Sequence, residues 1–397
     1  MSIGGSTVAA ELADIKVNRA APPAISADER LRRLERARRL TRDSGADALL
    51  IGAGASLRYF AGVPWGASER LVAMILPVNG KPVFVCPGFE KGSLEAVLEI
   101  EADIQLWEED ENPFTLVASS LRAWHSTVVA VDPAFPFEMV GRLCAAAPAL
   151  RLQDASPVVN GCRMYKSHAE LALMQHAKNL TLEVHRRAAR VLAPGISTGE
   201  VRRFIDDAHR ALGTAGSSFC IVQFGEGTAY PHGLPGEQRL REGDVVLIDT
   251  GCSVEGYNSD ITRTYVFGKA TDEQRRIWDL EHAAQAMAFA SAQLGVECQA
   301  VDAAARELLT RAGLGPDYQL PGLPHRTGHG IGLSIHEPAY LVRGDRTPLA
   351  PGMCFSNEPM IVIPGRFGVR LEDHFYMTEQ GPKWFTLPST SIDAPFG

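Results

Sequence analysis

No stretch of the chain approaches the roughly 18 consecutive apolar residues that a membrane-spanning helix needs, so no membrane span and no membrane partner is expected. The opening segment, Met1 to Lys16, carries Glu11 and Asp14 and lacks the basic start and apolar core of a secretion signal. Cysteine is sparse and unpatterned, with seven residues at 86, 144, 162, 220, 252, 298 and 354 and no C-x-x-C pair. An odd, scattered set reads as reduced and buried thiols, which points to the cytoplasm. Cations are not in excess. Lys and Arg number 39 against 47 Asp and Glu, a formal charge of -8, which argues against non-specific nucleic-acid binding. No internal repeat is evident.

What remains is ordinary for a globular protein: 397 residues, 45% hydrophobic and 22% charged. Such a chain can bury roughly 75% of its extended surface and favours two domains. Residues 1–25, rich in Ala, Gly, Ser and Pro, read as a poorly ordered or surface-draped arm. Ser26 and Glu29 form a capping-box pattern for a helix over 27–44, with Leu31, Leu34 and Leu40 on one side. Short apolar runs follow at 48–51, 71–77, 82–86 and 127–131, with Asn79-Gly80 as a hairpin turn between two of them. Stretches 90–99 and 113–123 fit intervening helices. Residues 26–158 therefore read as a mixed α/β domain. Residues 159–397 read as a larger α+β domain, with helices over 163–192, 197–211 (Thr198 as a candidate cap), 272–294 and 298–312, and strands at 245–249 and 261–267.

The chemistry concentrates in four segments of that second domain. They are Tyr230-Pro231-His232, Asp249 with Asp260, His329 with His336, and Glu358 with Arg370 and Glu372. Asp249 ends an otherwise apolar run, and Glu372 adjoins Leu371 close to Val369. A carboxylate near a core is costly unless it is paired or metal-bound, and several together repel unless divalent cations neutralise them. One imidazole with four carboxylates suits Mn, Co, Zn or Fe. Taken singly, each has a plainer reading: an Asp before Thr-Gly is ordinarily a turn former, and a His in a glycine-rich loop is ordinarily structural.

With those segments in view, the chain resembles the M24 metallopeptidases, specifically the proline-specific branch of Xaa-Pro dipeptidases (prolidases) and Xaa-Pro aminopeptidases. Arg163-Met164-Tyr165-Lys166-Ser167 resembles the entry to that family's catalytic domain, and Leu57 to Gly62 resembles part of its N-terminal domain. The resemblance implies a pita-bread (creatinase/aminopeptidase-like) catalytic domain preceded by a smaller mixed α/β domain. It also implies two divalent ions per subunit, manganese first and Zn, Co or Fe as alternatives. Asp249, Asp260, His329, Glu358 and Glu372 match the family's five ligands in order, with Asp249 and Glu372 bridging. The family's chemistry would then hydrolyse the X–Pro bond of dipeptides through a water held between the ions, with Glu358 exchanging its proton. His336 would stabilise the oxyanion, and His232 would touch the proline side of the substrate. Arg370 would orient carboxylates. Arg343 and Arg346 are candidates for the substrate carboxylate, and Trp65 and Tyr59 for a first-domain contribution to the pocket. A homodimer acting on small proline-containing peptides is implied.

One position departs from the pattern. Many aminopeptidase-like relatives carry tyrosine four residues after the first glutamate, where this chain has Val362. The competing readings are an Xaa-Pro aminopeptidase acting on longer peptides, cleavage of non-peptide C–N or C–S bonds on the same fold, and a binding protein without activity.

Overall fold

The computed structural model describes residues 3–17 and 21–396. The chain divides into two compact units, one of Ala24–Arg163 and one built from the described residues before and after it.

In the first unit, the helix Ala27–Asp43 is capped by Ser26, whose Oγ accepts from the Glu29 N–H at 3.3 Å. Its buried side is Arg30, Arg33, Leu34, Ala37 and Thr41, whereas Leu31 is 51% exposed. Leu31 is therefore not on the packed face that its apolar character suggests. Six strands follow, ordered Asp103–Trp107, Val83–Pro87, Ala73–Pro77, Ala48–Gly52, Val128–Val131 and Arg151–Asp154. The central strands are buried along their whole length and read as unbroken apolar runs. Ile75 pairs with Val83 across the Asn79-Gly80 turn, where Gly80 has φ +107°. The helix Pro113–Ala123 starts with proline at its first turn and lays Phe114, Val117 and Leu121 against the sheet.

In the second unit, the long helix begins later than its apolar pattern suggests. Ser156–Arg163 is a separate helix that still belongs to the first unit, and His168–Arg190 starts afresh at a capping box formed by Ser167 and Glu170. The next helix, Thr198–Ala211, is likewise capped by Ser197 rather than Thr198. These two helices cover a three-stranded sheet of Phe219–Phe224, Val245–Gly251 and Ile261–Val266. Asp272–Ser291 and Cys298–Arg311 pack on a second core shared with a five-stranded sheet and the hairpin Met360–Ile363/Phe367–Arg370. Of the seven free cysteines, five are buried, Cys220 is half-buried and Cys144 is exposed.

The N-terminal segment is tied down. Thr7 caps a helix over Val8–Ala13, and Ile3, Leu12 and Ile15 pack on the second unit's core. The buried Glu11 carboxylate accepts from Arg190 at 2.6 and 2.8 Å and from Arg187 at 3.3 Å. The reading of this region as poorly ordered therefore fails for the described residues. A helix this short needs tertiary ion pairs to persist, and those are carried by arginines on His168–Arg190. The Arg190 hydrogen bond holds the Glu11 carboxyl below its ordinary value. Replacing Glu11 by Gln should cost about 1.5–3 kcal/mol in urea unfolding at pH 7. Because the folded-state pKa is depressed, that difference is present above the ordinary glutamate pKa and should shrink as pH falls below about 4.3. A constant difference down to acid pH would contradict the pairing.

Candidate metal centre

Five acidic and imidazole side chains converge because their strands are neighbours. Asp249 lies on Val245–Gly251, where it pairs with Thr262 of Ile261–Val266, and Asp260 immediately precedes that second strand. The chain passes very close here: a Cβ on Gly251 would sit 1.9 Å from the Ser259 carbonyl oxygen. His329 is the middle residue of Gly328–Gly330, and Glu358 directly follows Cys354–Asn357 in the same five-stranded sheet. Cβ atoms on Gly328 and Gly330 would meet the carbonyl oxygens of Ser356 and Glu337 at 2.1 and 2.3 Å. The glycines around His329 are thus required by backbone approach. Glu372 joins the two sheets, because its N–H bonds the Thr262 carbonyl at 3.1 Å.

Hydroxyls fix the orientation. Thr262 Oγ1 donates to Glu372 Oε2 at 2.8 Å and accepts from Arg370 Nε at 3.1 Å. Ser356 Oγ accepts from the His329 N–H at 2.9 Å and donates to Glu358 Oε1 at 3.1 Å. Arg370 is spent on an ion pair with Asp249 and a 3.3 Å bond to the Pro231 carbonyl. Arg263 closes a buried pair with Asp373 at 2.8 Å beside Glu372. Gln285, on the helix Asp272–Ser291, donates to the carbonyls of Asn357 and Leu371, each at 3.2 Å, and so braces both glutamate-bearing strands. The sequence reading missed Gln285, Thr262 and Ser356. Two polar residues, Glu281 and Gln285, on the buried face that carries Ile277, Trp278, Ala284 and Ala288 were the available signal for the first.

The electrostatics of this cluster are unfavourable without a cation. The Asp260, His329 and Glu372 donor atoms lie within 4.8 Å of one another, all buried. His329 Nδ1 faces the Gly330 carbonyl at 3.0 Å and must therefore be the donor there. The ring's other nitrogen, Nε2, faces Asp260 Oδ2 at 3.8 Å and Glu358 Oε1 at 3.1 Å. Asp249 Oδ1, Asp260 Oδ1 and Glu372 Oε1 are buried with no hydrogen-bond partner. Burial raises the carboxyl pKa of all three, most for Asp260 and Glu372, and mutual repulsion adds to it. At Glu358 burial also pushes upward, but the His329 hydrogen bond and nearby positive charge outweigh it and hold the group low. An imidazole nitrogen converging with orphaned carboxylate oxygens is a donor set that a divalent cation would satisfy, so these residues fit a metal site.

Beside this cluster is a cavity of about 450 Å³. Pro231, His232, Pro324, His325 and Arg326 line it together with His336, Glu358 and Arg370. The His336 and His329 rings meet edge to face, 4.3 Å between centroids. Partial burial and then His329 hold the His336 pKa down at about 4. The other candidates lie elsewhere. Arg343 is ion-paired to Asp317 with its side chain 59% exposed, Arg346 is exposed, and neither lines the cavity. Tyr59 is a core residue of the first unit, its hydroxyl donating to the Cys162 carbonyl at 3.0 Å with Arg33 over its ring. Trp65 is half-buried in an otherwise exposed stretch of the same unit. Val362 is packed in the second unit's core and brings no hydroxyl to the cavity.

Residues 172–379 match metallopeptidase family M24, and residues 33–165 match the Creatinase/Prolidase N-terminal domain. The chain belongs to metallopeptidase family M24. A relative described as a probable dipeptidase PepE, from Mycobacterium tuberculosis, is 36% identical over 88% of this chain and 92% of its own. An Xaa-Pro dipeptidase of Lactobacillus helveticus is 30% identical over 89% and 96%. Among solved structures, dipeptidase PepE from Mycobacterium ulcerans superposes with a TM-score of 0.84 at 34% identity, covering 92% of this chain and 97% of that one. A prolidase from Thermococcus sibiricus gives 0.83 at 29% identity, covering 90% and 96%. The α+β catalytic unit is thus the M24 pita-bread fold, carried with a creatinase-type N-terminal domain.

Raised carboxyl pKa values mean that the metal-free protein holds protons here at a pH where free carboxylates are ionised, and a cation must displace them. Apparent Mn²⁺ affinity should therefore fall as pH is lowered, with protons released on binding. Calorimetry in two buffers of different ionisation enthalpy reads both. Asp260→Asn should raise the Tm of the chelated protein by relieving repulsion, and should remove the Mn²⁺-induced rise. A lower Tm with that rise intact would contradict the assignment.

Proposed function

We propose that this M24 protein is a dinuclear metal-dependent Xaa-Pro dipeptidase. The observation that carries the reading is the group of buried Asp249, Asp260, His329 and Glu372 with half-buried Glu358, three of its carboxylates each with an unpartnered oxygen, beside a cavity walled by two prolines and three histidines. The relatives described as a probable dipeptidase, an Xaa-Pro dipeptidase and a prolidase support the substrate class. When bound, two divalent ions supply Lewis acidity and an activated water.

The side chains do the rest. Glu358 touches His329 of the cluster and also lines the cavity, so it takes the proton of the attacking water and delivers it to the departing proline nitrogen. His336, neutral at pH 7 with its pKa near 4, keeps one N–H to donate to the oxyanion. His232 lies on the same wall as Pro231 and contacts the substrate's proline side. Arg370 holds Asp249 in place and is not free to bind substrate. An X–Pro bond has no N–H to donate, so a cavity with rigid apolar walls such as Pro231 and Pro324 suits it better than a strand-like peptide groove. The reading includes manganese as the first choice of metal, a homodimer and a cytoplasmic setting. Seven free cysteines support the last.

The test is hydrolysis of Ala-Pro and Gly-Pro against Ala-Ala after chelation, with and without added Mn²⁺. Activity should appear only with metal and only on the proline substrates. Glu358→Gln should lower kcat about 10²–10⁴-fold. Cleavage of Ala-Ala in preference to Ala-Pro would refute the proline specificity.

A further inference from the structure

Three of the four carboxylates in the cluster are held by a side chain. Thr262 holds Glu372, Ser356 holds Glu358 and Arg370 holds Asp249. Asp260 has no hydroxyl or guanidinium of this kind among the described residues. It is faced by the other carboxylates and, at 3.8 Å, by His329 Nε2, and its Oδ1 accepts nothing. It also lies outside the strands, directly before Ile261–Val266. Its position is therefore inherited from the backbone of Asn258 and Ser259.

Two helices grip that backbone from behind. Lys178 and Thr181 lie about one turn apart on His168–Arg190, both fully buried. Lys178 donates to the Asn258 carbonyl at 3.2 Å, and Thr181 Oγ1 lies 2.7 Å from Ser259 Oγ. Ser259 Oγ also accepts from the Cys252 N–H at 2.9 Å and donates to the Cys252 carbonyl at 3.1 Å, which closes the turn between Asp249 and Asp260. Behind Thr181 stands His209 of Thr198–Ala211, with Nε2 3.2 Å from Thr181 Oγ1 and Nδ1 2.8 Å from Ser217 Oγ. The Ser217 N–H donates to Asp206, on the same helix as His209, at 2.8 Å. Desolvation holds the His209 pKa at about 4, so at pH 7 the ring offers one N–H and one acceptor nitrogen, as a link between two hydroxyls requires. The run Ser217, His209, Thr181, Ser259 thus leads from a half-buried loop to the residue beside Asp260. Thr181 is otherwise set among Ala177, Leu180 and Val184, a core where a hydroxyl is costly unless it is bonded.

We infer that Thr181, backed by His209, is the positioning residue for Asp260. It does not line the cavity and acts through the Ser259 hydroxyl. The inference rests on the metal-centre reading and says what holds the one carboxylate that no side chain orients. Groups that support a metal ligand from behind set its affinity for the ion. Valine at 181 would keep the shape of threonine and remove the hydroxyl. The Ser259 turn would then lose its tie to the helix, and Asp260 would move with it.

The experiment compares wild type, Thr181→Val, Thr181→Ser and His209→Leu, all below their melting transitions. Glu11→Gln is the control for plain destabilisation, since its ion pairs lie at the C-terminal end of the same helix. Two quantities are read. One is Mn²⁺ affinity, from the electron paramagnetic resonance signal of free Mn²⁺ titrated into chelated protein. The other is amide hydrogen exchange over residues 252–261 in the metal-free protein. Thr181→Val should weaken Mn²⁺ binding about 10- to 100-fold, the range for outer partners of metal ligands. It should also speed exchange of the Cys252 and Ser259 amides about 3- to 10-fold, as loss of one hydrogen bond implies. His209→Leu should move both in the same direction by less, and Thr181→Ser should stay near wild type. Glu11→Gln should lower the Tm and move neither. A valine variant with wild-type Mn²⁺ affinity, whatever its exchange, overturns the inference, and so does a Glu11→Gln control that weakens Mn²⁺ as much. If wild type binds no Mn²⁺, the metal reading fails on its own, and the tie from Thr181 to the Ser259 turn stands or falls on exchange.

Discussion

Three buried carboxylates and one buried imidazole meet beside the half-buried Glu358, in a space where like charges cannot all stay ionised without a partner. Everything around them answers that constraint. A single buried unpaired carboxylate costs several kcal/mol, and here Asp249, Asp260 and Glu372 each present an oxygen with nothing to accept. The cluster is intelligible as a site for divalent metal. Its cost is tolerated because the surrounding sheets and helices form two large apolar cores.

The scaffold achieves the convergence by bringing backbones unusually close. Gly251, Gly328 and Gly330 remove side chains where the neighbouring strand's carbonyl would clash. Thr262 and Ser356 then act as two-sided hydroxyls, each holding one glutamate while accepting from the element opposite. Gln285 ties the strands of Glu358 and Glu372 to one helix. None of these groups lines the cavity, yet each sets the position of a member of the cluster.

The cluster was legible in the sequence because its members violate local expectation. Asp249 terminates a run of Val245 to Ile248, and Glu372 follows Val369 to Leu371, places where burial favours hydrocarbon. Resemblance to M24 supplied the assembly, which spacing could not. The helix over Pro113–Ala123 was legible from its proline start, and the central strands from their apolar runs. The strands Asp103–Trp107 and Arg151–Asp154 were not. They are sheet edges, half-solvated and polar, and carry no apolar run to read. The break before His168 was hidden by continuous apolar spacing, although Ser167 and Glu170 announce a new helix start.

The central claim is that these five side chains hold two ions together. Its most direct test is anomalous scattering from crystals of the Mn²⁺-reconstituted protein, with metal content measured on the same preparation. The account predicts two manganese peaks per chain, both contacted by Asp249 and Glu372, one also by Asp260 and the other by His329 and Glu358. One peak, none, or peaks remote from these residues would contradict it.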